Sequence, residues 1–267
     1  MPIPRLLLIL IATFFAFGDA QAKIEKVPPP NHNNRRALVI GNDDYKNLPK
    51  QQRAINDARA VGEAMTRIGF DVTVATNLSR EGTFAAVKAF AETLYSGDTA
   101  FVFYAGQAFA AGGAEYLVPV DASGAMDVDA VADASLAFDE VIASVMQASP
   151  ARLVLVVDGC RDNPFRTSPR SRLTSGLATG ATENVFVIFS TSIGQTAFES
   201  LAGNDTDPNS LFTREFVKIV GRPGQNLIEL AKELRKNVSA LATSAGQRQI
   251  PAYFDALSDH YALLPAK

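Results

Sequence analysis

The chain is poor in the residues that build disulfides and metal centres. Its 267 residues include one cysteine, Cys160, and two histidines, His32 and His260, and no tryptophan. A single cysteine cannot form an internal disulfide, and neither histidine stands near it at metal-ligand spacing. We therefore expect a fold that depends on its hydrophobic core, with no metal site and no cofactor.

Several nucleotide-binding and catalytic signatures are also missing. Neither a G-x-x-x-x-G-K-[ST] phosphate loop nor a G-x-S-x-G nucleophile turn occurs. Residues 39–45 join a strand to a loop with one glycine, where a dinucleotide fingerprint has three. The formal net charge is −3, so no overall positive field favours nucleic acid or an anionic membrane surface. These features disfavour nucleotide-dependent enzymes, α/β-hydrolases and nucleic-acid-binding proteins.

The N-terminal residues are typical of an export signal. Arg5 precedes an apolar run over residues 6–17, and Ala20-Gln21-Ala22 fits an A-x-A cleavage site. The apolar run is shorter than the roughly 20 residues that cross a bilayer. The pattern predicts a signal peptide over residues 1–22 and a secreted or periplasmic protein. Residues 23–35, rich in proline and asparagine, are predicted to form a linker.

The remaining chain alternates between strand and helix patterns. Strands are predicted at residues 37–40, 71–75, 99–104, 115–120, 153–157 and 185–189, with a last edge strand within 253–264. Helices are predicted at residues 55–68, 80–95, 136–147, 211–220 and 227–241. This order predicts one α/β domain over residues 36–264, with a mostly parallel sheet covered by helices on both faces.

Three loops are expected at the carboxyl edge of that sheet, where function collects in parallel sheets: residues 41–45, 105–108 and 158–163. Cys160 lies in the last of them, after a strongly apolar strand. A lone cysteine is most often a small buried hydrophobic residue, but here it is flanked by Asp, Gly and Arg. Local chemistry alone leaves both the structural and the functional interpretation open.

Ordered motifs along the chain resemble the caspase/metacaspase superfamily, most closely its bacterial members. They are RALVIGNDDY (36–45), NDA (56–58), GFDV (69–72), FYAG (103–106), YLVPVD (116–121), DGCRDNPF (158–165), FSTSIGQ (189–195) and NSLFT (209–213). The resemblance implies a caspase-like fold, a three-layer sandwich, and cleavage of peptide bonds by a Cys–His dyad.

The resemblance also assigns site residues. Cys160 corresponds to the nucleophile, and the amides of Gly106 and Cys160 would form the oxyanion hole. Asp57 and Asp158 resemble the acids that line the metacaspase S1 pocket, which implies partners with Arg or Lys. The family likeness further places Ala105 and Ser190 on the substrate-binding surface.

The chain departs from the family at its catalytic histidine. The motif Y-[AS]-G-H-G has Gln107 in place of histidine and Ala108 in place of the next glycine, and D-A-C has Gly159 in place of alanine. A glutamine amide does not titrate, so it cannot exchange protons with a thiol or a leaving amine. Neither His32 nor His260 matches a catalytic position of the family.

With this departure, the sequence leaves three functions open. The first is a pseudopeptidase that keeps the cleft and binds basic peptides. The second is a slow Arg/Lys-directed cysteine endopeptidase, with possible self-processing in the basic loop 161–184. The third is a redox-active or adduct-forming Cys160, for which Arg161 is the only cation expected nearby. Oligomeric state and calcium dependence do not follow from the sequence.

Overall fold

A computed structural model of the protein describes residues 27–111, 113–124, 128–161, 183–201 and 205–266. Within them the strands are β1 (Arg35–Gly41), β2 (Asp71–Thr76), β3 (Thr99–Ala105), β4 (Ala108–Ala111), β5 (Ala114–Leu117), β6 (Leu136–Ala137), β7 (Arg152–Asp158), β8 (Val185–Phe189) and β9 (Ala252–Asp255). The helices are α1 (Ala54–Arg67), α2 (Arg80–Thr93), α3 (Val128–Asp133), α4 (Phe138–Met146), α5 (Leu211–Ile219) and α6 (Leu227–Ser244).

The central sheet has the strand order β2-β1-β3-β7-β8-β9, and its strands are parallel except for β9. Its inner strands are buried on both faces, which is why β3 and β7 are continuous apolar runs without alternation. Side chains of α1, α5 and α6 pack on one face, and those of α2 and α4 pack on the other. The predicted three-layer α/β sandwich is confirmed.

The parallel strands end together at one edge of the sheet. Gly41 of β1 pairs with Ala105 of β3, and Ala105 in turn pairs with Asp158 of β7. The adjacent pair Val157–Phe189 places Ser190 directly after β8 at the same edge. Three predicted loop segments are therefore brought together by strand register alone.

A small antiparallel sheet, β4-β5-β6, follows β3 at this edge. The sequence predicted one strand over residues 115–120, whereas β5 ends at Leu117. Strand β4 was not predicted because its sequence, AFAA, lacks β-branched residues, and β6 is only two residues long. Phe109 and Val118 pack with Tyr45 beneath this sheet, which gives it a small core of its own.

The folded unit begins earlier than the sequence predicted. His32, within the predicted linker, is buried against Asp98, and its Nε2 atom lies 2.8 Å from the carboxylate. Its ring also packs edge-on against Tyr95. Asn33 donates to the Gly69 carbonyl, and β1 starts at Arg35. Specific side-chain contacts therefore hold residues 32–35 against the domain.

Two predicted segments fall outside the described residues. They are the signal peptide at residues 1–22 and, apart from Arg161, Glu183 and Asn184, the basic loop at 161–184. The signal peptide and the self-processing of the loop stay predictions. In the part of the chain that the structure describes, no helix combines the length and apolarity needed to cross a membrane.

The contact between His32 and Asp98 predicts a loss of stability on substitution. His32→Ala leaves the Asp98 carboxylate, which is 2% exposed, without its imidazole partner. We expect the free energy of unfolding to fall by about 1–3 kcal/mol in urea titrations. His260→Ala serves as the control, because that histidine is exposed and a change within about 0.5 kcal/mol is expected. An equal effect of the two substitutions would contradict the packing of His32.

Candidate active site

A cavity of about 280 Å³ opens at the carboxyl edge of the central sheet. Most of the predicted site residues line it: Asp57, Ala105, Gly106, Gln107, Asp158 and Cys160. They come from the first turn of α1, the end of β3 and the end of β7. The rest of the described wall is formed by residues 196–199, Ser210, Pro49, Gln51, Ala54, Ala108 and Gly159. Elements distant in sequence thus build one cleft around the thiol.

Cys160 is half-buried and follows β7 after a single glycine. Its Sγ lies 3.9 Å from the carbonyl oxygen of Ala197, in the opposite wall of the cavity. A carbonyl oxygen accepts a hydrogen bond from a thiol, whereas a thiolate has no proton to donate. The contact with Ala197 therefore joins the Cys160 turn to residues 196–199 across the cavity.

Ser190 does not contact the cavity and is completely buried. Its hydroxyl accepts from the Gly159 amide at 3.1 Å and lies 3.3 Å from the Gly159 carbonyl. The structure thus gives Ser190 no contact with the cavity, and its predicted contact with substrate stays a prediction. Its structural effect is to hold the turn that presents Cys160.

Two departures from the family pattern meet in space. A Cβ atom on Gly159 would lie 2.8 Å from the Gly106 carbonyl oxygen and 2.9 Å from the Cβ of Ala108. Real Cβ atoms almost never approach so closely. Where the family resemblance has glycine this chain has Ala108, and where it has alanine this chain has Gly159. In this chain the methyl group at this contact therefore belongs to residue 108, and residue 159 has none.

Gln107 is held firmly in the cleft wall. Its backbone amide donates to Tyr45 Oη at 2.7 Å, and its carbonyl accepts from Tyr104 Oη at 2.9 Å. Burial raises the pKa of Tyr104 to about 12, so this hydroxyl stays a donor at physiological pH. The Gln107 side chain donates through Nε2 to the Pro49 carbonyl at 2.5 Å. Gln107 therefore ties together two walls of the cavity.

The backbone amide of Gly106 is hydrogen-bonded within the protein. Its amide donates to the Asp158 carbonyl at 3.1 Å, which extends the pairing of β3 with β7 by one residue. The same N–H cannot also donate to an oxyanion in this arrangement. The positive φ of 152° at Gly106, and the Tyr45 hydroxyl 2.6 Å from where a Cβ would stand, explain why glycine is needed there.

Both histidines of the chain lie at the other edge of the sheet. His32 bonds to Asp98, which immediately precedes β3, whereas Cys160 follows the end of β7. A seven-residue strand separates those edges by about 20 Å. His260 follows β9, whose last residue, Asp255, pairs with Phe186 near the start of β8. Neither imidazole is within reach of the thiol.

The acids Asp57 and Asp158 are buried beside Cys160. Asp57 Oδ1 accepts from the Ser210 amide and from Asn209 Nδ2, each at 2.9 Å. Asp158 Oδ2 accepts from the hydroxyls of Ser210 at 2.5 Å and Thr213 at 3.0 Å. Burial raises the pKa of Asp57 well above its ordinary value, and the charge of Asp158 raises it further. Burial also raises the pKa of Asp158, while the hydroxyl donors oppose that shift.

Sequence reasoning missed a third acid in the wall, Glu199. Its carboxylate accepts from the amides of Gln52 and Arg53 at 2.8 and 3.3 Å, just before α1. No sequence signal identifies Glu199, because it stands in a loop that only tertiary contacts bring to the cavity. Among the described residues that line the cavity, three are acidic and none is basic. The cavity is therefore suited to a cationic group.

A buried ionic cluster holds the segment that precedes α5. Asp205 accepts from Arg214 at 3.1 and 2.7 Å and from Arg53 at 3.0 Å. The Arg214 hydrogen bonds, aided by Arg53, hold the pKa of Asp205 well below its ordinary value. Both arginines also donate to the Asn209 carbonyl. The guanidinium groups of Arg53 and Arg214 are thus engaged by Asp205, outside the cavity lining.

Arg161, next to the thiol, is also paired. Its guanidinium makes a buried ion pair with Glu115 of β5 and stacks 3.8 Å from the Phe189 ring centroid. The pair anchors the end of the Cys160 turn to the small sheet. Because Glu115 engages the Arg161 charge, the cation that supported a redox-active thiol is no longer available to it.

Comparison with known proteins identifies relatives of this chain. The family model described as the caspase domain, in peptidase family C14, matches residues 34–261. Among solved structures, caspase-1 from Spodoptera frugiperda is similar at a TM-score of 0.64, with 15% identity, over 88% of this chain and 91% of that one. At such low identity the structural similarity shows the fold alone. A search of curated proteins found no match.

The buried acids predict that Asp57→Asn stabilises the protein. Because folding raises the pKa of Asp57 above 3.8, the stability it contributes is complete below that value and is lost as pH rises through the folded pKa. At a pH above the folded pKa the ionised carboxyl is therefore a cost that asparagine removes, while its amide oxygen still accepts from Ser210. We expect a gain of about 1 kcal/mol, or roughly 2–4 °C in melting temperature measured by calorimetry.

Asp71→Asn is the matched control, since Asp71 is exposed at the opposite end of the sheet and its removal also deletes one negative charge. Its melting temperature should stay close to that of the unmodified protein. A lower melting temperature for Asp57→Asn would contradict the cost assigned to the buried charge.

Proposed function

Because the chain belongs to the caspase-domain family of cysteine peptidases, we propose that it is a pseudopeptidase that binds basic peptides or proteins and does not cleave them. Family membership implies peptide or protein ligands. The single observation that carries the proposal is an intact acidic cleft around Cys160 whose dyad position is occupied by Gln107. The predicted signal peptide supports action in a secreted or periplasmic setting.

Cleavage of a peptide bond depends on proton transfers that the Gln107 side chain cannot make. Peptide hydrolysis needs a base for the thiol and an acid for the leaving amine, and lost acid–base catalysis costs about 10²–10⁴-fold. The side chain of Gln107 has no titratable proton and already donates to Pro49. Both imidazoles of the chain stand at the other edge of the sheet. No other imidazole exists in the sequence to replace the missing one.

The charge of the residues that line the cleft determines the class of ligand that the cleft favours. Asp57, Asp158 and Glu199 face it, and the guanidinium groups of Arg53 and Arg214 are engaged by Asp205. Three carboxyl groups in a confined space favour a guanidinium or ammonium over an acidic or neutral side chain. A partner that presents Arg or Lys therefore fits best.

Binding is tested with a fluorescein-labelled hexapeptide that contains one arginine, and the same peptide with neutral citrulline in its place. Fluorescence anisotropy at about pH 8 should show at least tenfold tighter binding of the arginine peptide, since the citrulline peptide lacks the cation. Asp57→Asn and Asp158→Asn should remove that preference, whereas the surface variant Asp71→Asn should keep it. Equal affinity for the two peptides would overturn the proposed ligand class.

Catalysis is tested by restoring the family residues. Fluorogenic peptides with Arg at the cleavage position should give the native protein no more turnover than Cys160→Ala. The triple variant Gln107→His, Ala108→Gly, Gly159→Ala should gain turnover of about 10²-fold or more over Gln107→His with Cys160→Ala. The two small-residue changes accompany the histidine because their Cβ positions meet at 2.9 Å.

A second candidate function is supported by the thiol itself. Cys160 still lines the cavity beside the acids, as an active Arg/Lys-directed cysteine endopeptidase would require. Turnover by the native protein that Cys160→Ala abolishes would establish that function and overturn the pseudopeptidase.

A further inference from the structure

The N-terminus of helix α5 holds two acids of the cleft, Asp57 and Asp158. The Ser210 amide donates to Asp57, and the Ser210 hydroxyl donates to Asp158 while accepting from the Thr213 amide at 2.9 Å. Thr213 Oγ1 adds a second hydroxyl donor to the same Asp158 oxygen. Ser210 is the N-cap of α5, and both hydroxyl residues are buried. The start of α5 thus orients both carboxyl groups.

Two hydrogen bonds hold one carboxyl oxygen of Asp57. The Ser210 amide and Asn209 Nδ2 both donate to Asp57 Oδ1. The Asp57 side chain is 2% exposed and lines the cavity. Asp57 therefore offers its carboxyl group to a cationic ligand from the wall of the cavity.

Several charged side chains from different elements surround Asp57 and Asp158. Glu199 adds a negative charge that raises the pKa of Asp158. Arg53 before α1 and Arg214 of α5 are paired with Asp205, and Asp207 lies 3.7 Å from Arg214. The hydroxyls of Ser210, Thr213 and Ser190 are then the groups that favour the ionised form of Asp158, since they lower its pKa against burial, and the first two belong to the start of α5.

We propose that Ser210 and Thr213 are positioning residues that keep Asp158 ionised, and so set the lowest pH at which the cleft binds a basic side chain. This inference rests on the proposed function, because it concerns the same ligand. Each carboxyl must lose its proton before it attracts a cation. Affinity therefore falls as pH drops through the raised pKa values, and removing a hydroxyl donor moves that fall to higher pH.

Thr213 provides the sharpest pair of variants. Thr213→Val keeps the shape and loses the hydroxyl, whereas Thr213→Ser keeps the hydroxyl and loses a methyl group. Anisotropy titrations with the arginine hexapeptide are made between about pH 5 and 8.5, with the citrulline peptide as baseline. For Thr213→Val we expect the midpoint of the affinity profile to rise by about one pH unit, which is up to tenfold weaker binding on the acidic side. Thr213→Ser should keep the native midpoint.

Ser210→Ala should shift the midpoint in the same direction. It also removes a helix cap, so Ser79→Ala is its control: Ser79 caps α2 by accepting from Gly82 at 3.1 Å, away from the cleft. Ser79→Ala should lose stability without moving the profile. Melting curves establish that each variant is folded. If Ser210→Ala does not fold, the midpoint of Thr213→Val tests the role of the hydroxyl donors.

The outcomes separate the two proposals. If the native protein binds the arginine and citrulline peptides equally, the proposed function fails. If the native protein prefers arginine but Thr213→Val has the native midpoint, or Thr213→Ser shifts as far as Thr213→Val, the proposed function stands and the role of the hydroxyls is overturned.

Discussion

The parallel pairing of β3 with β7 is the constraint on which the cleft depends. The two strands end in register, with Ala105 opposite Asp158, and the Gly106 amide extends the pairing to the Asp158 carbonyl. Because parallel strands end at the same edge, the residues that follow them must meet there. Gln107 and Cys160 are brought to one cavity by this register, as a dyad would be, although one partner no longer titrates.

The cleft combines a glutamine at the dyad position with close packing around it. A Cβ atom on Gly159 would stand 2.8 Å from the Gly106 carbonyl oxygen and 2.9 Å from the Ala108 Cβ, so glycine at position 159 leaves room for the methyl group of Ala108. Gln107 joins two walls through Pro49, and Asp57, Asp158 and Glu199 line the same cavity. Buried charge is unfavourable for folding unless a ligand pairs with it. An acid pair kept at that cost is more readily explained by binding than by structure.

Much of the fold was predictable because long buried strands and amphipathic helices carry strong local patterns. The inner strands β3, β7 and β8 are continuous apolar runs, and their positions and parallel order followed from the alternation with helices. Strand β4 was missed because AFAA has no strand preference, and its pairing with β5 is decided by tertiary packing. Gly106 and Ser190 lie where motif matching expected, but hydrogen bonds within the protein occupy the amide and the hydroxyl.

The sequence by itself determined the chemistry that is available: one thiol, two imidazoles and a glutamine at the dyad position. These are properties of covalent structure, and no fold makes an amide titrate. Only the tertiary structure decided which groups meet. It placed both histidines at the far edge of the sheet, and it joined Asp57 to Ser210, a residue 153 positions later. Such pairings depend on strand register and helix docking, which are set by the packing of the whole core and are not encoded in any short segment.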